Sequence, residues 1–160
     1  MNIVALDLNK YDSSCFYFFE TKNNNLMDGK FTKVIYTHAH FTINNIYFHF
    51  PIHISRRELY NNKYVVQYDI NAERNKYILE SVFMLESQIL VAYSNFTNRW
   101  KTSNMNIYKK AIKGRLCMSE QSIKNEENPK YIVLKISGIW ENDKEFGITY
   151  KWLESKTTMV

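Results

Sequence analysis

The chain has 160 residues, 45% of them apolar, and 21 Lys and Arg against 16 Asp and Glu for a net charge of +5. That apolar share excludes an intrinsically disordered chain, and the length suits one domain over residues 1–160. No apolar run is long enough to span a bilayer, and the basic balance favours an anionic partner.

In chain order, the opening MNIVALDLNKYD lacks a basic leader, an apolar stretch and a small-residue cleavage site, so a secreted protein is not expected. Two scattered thiols, Cys15 and Cys117, suit a reducing compartment. The first half reads as strands. Cys15–Glu20 is an aromatic strand, followed by a polar, flexible Thr21–Asn25. Asp28-Gly29 signals a turn before a strand over Phe31–Ile43, Asn44-Asn45 breaks the chain again before Ile46–Ile54, and Asn61-Asn62 leads into Tyr64–Ile70. The period changes at Asn71, an acceptable N-cap. Ile78, Val82, Leu85 and Ile89, with Leu79, Phe83, Leu90 and Tyr93, have helical spacing and predict one long helix over about 72–93. Met105–Met118 reads equally as a helix or as a basic strand and loop, and Glu120–Pro129 is a second polar, flexible segment.

The chain closes on two strands, Tyr131–Glu141 and Phe146–Leu153, joined by the turn Asn142-Asp143-Lys144-Glu145. A turn centred on Asp143-Lys144 sets Trp140 opposite Gly147, where an indole can lie flat on a strand with no side chain. Strict alternation then groups Ile139, Phe146, Ile148, Tyr150 and Trp152 on one face, and Ile132, Leu134, Ile136 and Trp140 on the other. On that pattern Trp140 is expected to be core and Trp152 to be free for stacking, beside Lys135, Tyr150 and Lys151.

The sequence SGIW, a short polar turn and FGITYKW, over Ser137–Trp152, is similar to the C-terminal signature of single-stranded-DNA-binding proteins of large DNA viruses and related mobile elements. MDGKFTKVIYTHAHFTINNIYFHFPI, Met27 to Ile52, resembles the same family. The resemblance implies an OB-fold-like barrel that coats replicating single strands in the host cytoplasm or nucleus. Its implied partner is single-stranded nucleic acid, and it offers no catalytic residue to carry over; replication proteins and further copies of the chain are candidate partners, and no membrane and no cofactor are expected. Independently of it, several strands, a helix and a closing hairpin form a β-rich α+β order, and an OB fold also places its helix before the final two strands.

Two constellations could carry function. His38, His40, His49 and His53 fall in the expected hairpin around Asn44-Asn45, where a two-residue turn sets His40 opposite His49 and groups them with Tyr36 and Tyr47. That face reads as an exposed sheet surface, as a base-stacking platform, or as a set of nitrogen ligands for zinc in a small metal-dependent enzyme, with no carboxylate near to support such ligands. Lys101, Lys109, Lys110, Lys113 and Arg115 form the densest positive cluster, next to Trp100, and suit phosphate contact or a solvated face. The sequence has no Walker loop, GxSxG, GxGxxG or HExxH, so no enzyme is expected. The reading is a single-strand binder with little sequence preference whose contacts are Tyr36, His38, His40, Tyr47, His49, Trp100, Lys101, Lys109, Lys110, Lys113, Arg115, Lys135, Tyr150, Lys151 and Trp152. The competing reading is a viral structural or protein-interaction module.

Overall fold

Short alternating runs broken by Asn and Gly fold into strands, and one long helical run interrupts them. The computed structural model describes residues 2–25, 28–97, 100–119 and 131–159. The expected flexible segment Glu120–Pro129 lies outside them. The strands are β1 (Asn2–Asp7), β2 (Phe16–Phe18), β3 (Lys22–Asn23), β4 (Lys30–His38), β5 (Phe41–Ile43), β6 (Ile46–His49), β7 (Arg56–Tyr60) and β8 (Lys63–Gln67). After α1 (Glu73–Thr97) come β9 (Thr102–Asn104), α2 (Asn106–Ala111), β10 (Arg115–Cys117), β11 (Tyr131–Glu141) and β12 (Glu145–Met159). Residues 105–118 therefore hold both a helix and a strand. No helix among the described residues is long and apolar enough to cross a membrane.

β11 and β12 form the expected hairpin and organise the main sheet, with β11 also pairing with β4 at one end and β6 at the other. β1 lies parallel to both β6 and β12. The pairings β11–β6, β6–β1, β1–β12 and β12–β11 thus return to their starting strand, and the sheet curls on itself into a barrel-like half. α1 covers one face of it. Ile78, Leu79, Val82, Leu85, Ile89, Leu90 and Tyr93 are buried, and they share one core with Leu6, Phe48, Leu134, Ile136, Ile139 and Trp152. A small second core, Ile3, Ala5 and Val133, sits on the other face of the curled strands. β7, β8 and β10 form a separate three-stranded sheet, fastened to the main one by an ion pair between Arg57 and the buried Glu154.

The turns follow local chemistry. Asn61 and Asn62 take φ of 48° and 60° and close β7–β8 as a two-residue turn. That left-handed conformation is one asparagine tolerates better than most residues. In the closing hairpin, Asn142 Oδ1 accepts the N–H groups of Lys144 and Glu145, both at 2.8 Å.

Two expectations are corrected. The strand expected over Phe31–Ile43 ends at His38, and β5 folds straight back on β4, with His38 opposite Phe41 and Tyr36 opposite Ile43. β6 goes instead between β1 and β11, where Ile46 and Phe48 are wholly buried. Burying those two side chains outweighs pairing with a neighbouring strand, so His40 never faces His49. The second correction is a bulge at Ser137. Trp140 pairs with Gly147 as expected, but the register shifts between Ile136 and Gly138, so Leu134 pairs with Trp152. The shift puts Ile132, Leu134 and Ile136 on the same core face as Ile139, Ile148 and Trp152, and leaves Trp140 on the opposite face.

Candidate functional site

A groove of about 1270 Å³ runs along β12. One wall comes from α2 and its exit, with Asn106, Lys110, Lys113, Arg115, Cys117 and Ser119. The other comes from the β3–β4 region, with Lys22, Asn23, Asn24, Asn25 and Phe31. Trp140 and the β12 segment Ile148, Thr149, Tyr150, Lys151 and Trp152 lie between them. Five lining residues are cations and four are aromatic, and none of the described lining residues is a carboxylate. An acid-free groove of this kind favours an anion with flat, apolar parts.

Two glycines shape the surface. A Cβ placed on Gly147 would fall 2.8–2.9 Å from three atoms of the Trp140 indole, and one on Gly138 would fall 2.4 Å from the tip of the Phe31 ring. The Trp140 indole therefore lies flat on Gly147 and the tip of the Phe31 ring rests on Gly138, and both rings stay partly exposed. Phe31 and Trp140 occupy paired positions on β4 and β11, and Lys22 pairs with Phe31 from β3. Lys151 lies on the same face, directly opposite Lys135. Facing lysines repel and destabilise a sheet unless an anion meets them. The Lys135 ammonium stands 5.7 Å from the centroid of the Tyr47 ring.

Glu86 positions the α2 wall. This wholly buried carboxylate of α1 accepts the N–H groups of Ile107 at 2.9 Å and Tyr108 at 2.8 Å, capping a helix whose own N-cap residue, Met105, makes no side-chain cap. Burial pushes its pKa up, against the two N–H bonds and Lys109, which pull it down. Tyr150, packed beside it, is pushed up to about 12 by burial and then by the Glu86 charge. Glu86→Ala leaves two N–H groups without their acceptor and is expected to cost about 1–3 kcal/mol for each that stays buried. The sign of its pH dependence follows from the raised pKa. The protonated side chain's contribution is complete below the ordinary value of 4.5 and is lost as pH rises through the raised one. Paired melts from pH 4 to 7 should therefore show the gap between wild type and Glu86→Ala narrowing as pH rises.

Of the residues expected from sequence, Lys110, Lys113, Arg115, Tyr150, Lys151 and Trp152 line the groove. Trp152 does so from the core, only 5% exposed and packed on Phe50 with ring centroids 4.7 Å apart, so it offers no free face for stacking. Lys135 and Tyr47 lie next to Lys151 but outside the lining. Lys109 is exposed and reaches Asn104. Lys101 ion-pairs with the buried Glu141 at 3.8 Å and donates to Asn142 O, which gives it a role in holding the hairpin. Trp100 is fully exposed and does not line the groove. The histidine constellation comes apart. His38 and His40 share the β4–β5 hairpin, His49 stands edge-on to Tyr131, His53 is exposed beyond β6, and Tyr36 is buried, its hydroxyl accepting the Asp12 N–H. Burial pushes the His49 pKa down, against a rise from Asp7. Among the described residues no three His, Cys, Asp or Glu side chains converge to hold a metal ion.

Lys22, Phe31 and the exposed setting of Trp140 were not anticipated. Their signal was Gly147 opposite Trp140, with a second glycine, Gly138, two residues before that indole on the same strand. No protein-family model, no curated protein and no solved structure matches this chain.

Proposed function

We propose that the protein binds single-stranded DNA with little sequence preference, in the replication or recombination of a large DNA virus or mobile element. The observation that carries this is the acid-free groove, in which the flat Trp140 indole and the partly exposed Phe31 ring lie among Lys22, Lys110, Lys113, Arg115 and Lys151. Flat rings stack on unpaired bases whatever their identity, and flexible cations follow the phosphates. The repelling Lys135–Lys151 pair agrees with an anionic occupant. A curled sheet with one long helix before a closing hairpin is compatible with an OB-type barrel, and the resemblance of Ser137–Trp152 supplies the replication setting.

Fluorescence titrations with single-stranded and duplex oligonucleotides at two salt concentrations test this. Tighter binding to the single strand and steep weakening with salt are expected. Equal affinity for duplex, or no binding at low salt, would sink the proposal. Trp140→Ala should weaken binding by about 1–3 kcal/mol while leaving the melt close to wild type, because the indole covers a glycine rather than filling the core.

A further inference from the structure

Outside the groove, the same face of the main sheet carries two more exposed rings that the fold leaves unused. β2 is the outermost strand of the main sheet path, and it pairs Phe16, Tyr17 and Phe18 with Tyr36, Ile35 and Val34 of β4. Phe16 and Phe18 turn into the core. Tyr17 and Phe19 therefore turn outward, 57% and 47% exposed. Phe19 is held to β4 by its N–H, which donates to Lys33 O at 3.0 Å, and the Lys33 ammonium stands 5.8 Å from the centroid of its ring. Lys33 in turn lies directly opposite Gly138, the residue over which the Phe31 ring rests. Trp140, Phe31, Phe19 and Tyr17 thus succeed one another across β11, β4 and β2 on one face, with Lys22 and Lys33 among them.

We infer that this strip is the second segment of the same interface, so that a single strand leaving the groove over Trp140 and Phe31 continues over Phe19 and Tyr17 with its phosphates toward Lys33. The inference rests on reading the groove as a single-strand site. Two features select that occupant. The strip is continuous with the groove through Phe31 and Lys22, and an exposed ring with an ammonium near its face matches a nucleotide, a base for the ring and a phosphate for the charge.

The test is a length series of oligothymidylates, from roughly 4 to 16 nucleotides, the span of one such domain. Wild type, Trp140→Ala and the double variant Tyr17→Ala/Phe19→Ala are compared, with Lys33→Gln as an independent variant. Trp140→Ala should weaken binding at every length. The double variant should match wild type on the shortest oligomers and fall behind by about tenfold or more on the longest. Lys33→Gln should lower the salt slope by about 0.7 on the long oligomers only. Both sites are exposed, so melts should stay at the wild-type temperature, and Lys33→Gln still decides if the double variant folds poorly. Wild-type affinity at every length in these variants would overturn the strip and leave the groove standing. Failure of the wild type to bind any oligothymidylate would remove the groove reading beneath it.

Discussion

Trp152→Ala is expected to lose about 3–5 kcal/mol of stability, among the largest effects of any single substitution in this chain. The residue sits in the centre of the closing hairpin, opposite Leu134 and against Phe50, with Tyr150 edge-on at 6.2 Å. Truncation would leave a cavity where β12, β11 and the segment after β6 meet, and close-packed neighbours refill such a space only in part. For a domain of this size the loss corresponds to a drop in melting temperature of roughly 10 °C. The indole N–H is buried without a hydrogen-bond partner among the described residues, which is costly in itself. Trp152→Phe removes that donor and keeps most of the apolar packing, so it should cost far less than alanine. Thermal melts of the two variants check this pair of expectations. Equal and small losses would mean that the ring does not carry the core.

The strand, helix and hairpin order was legible because it rests on local signals. The helix pattern from Ile78 to Tyr93, the Asn61-Asn62 turn and the register of Trp140 on Gly147 each depend on residues close in sequence. What was not legible depends on residues far apart. β1 gives no alternation of its own and is placed by parallel pairing with β6 and with β12, which lies at the other end of the chain. The histidine face failed because β6 gains more by burying Ile46 and Phe48 between β1 and β11 than by pairing with its neighbour. The exchange of the two tryptophans did have a sequence signal. Apolar residues in β11 run through Ile132, Leu134 and Ile136 and then resume at Ile139, a change from even to odd positions within one strand. A strand cannot present both sets to one core unless it carries an extra residue, and Ser137 is that residue. Reading the change of parity as a bulge would have sent Trp152 inward and Trp140 to the surface.

Replacing Lys110, Lys113 and Arg115 together by glutamine should weaken binding to single strands by about tenfold or more for each phosphate no longer held, with little change in the melt. All three line one wall of the groove, and among the described residues none has a carboxylate partner to neutralise it. Two of them are aimed by rings. The Lys110 ammonium stands 5.8 Å from the centroid of Tyr150, and the Arg115 guanidinium 5.7 Å from that of Tyr60 on the β7–β8 hairpin. A bland role competes, since Lys110 lies in the last turn of α2 and favours the negative end of that helix. That role is worth only a few tenths of a kcal/mol in a short exposed helix, and it would register as a lower melting temperature rather than weaker binding. The salt dependence separates the two. Each single-strand phosphate that goes unneutralised removes about 0.7 from the slope of log affinity against log salt, so the triple variant should flatten it by about 2. An unchanged slope together with unchanged affinity would reduce this wall to a solvated surface. A flattened slope with sequence-independent weakening would identify these three side chains as the phosphate track of the groove that Trp140 lines.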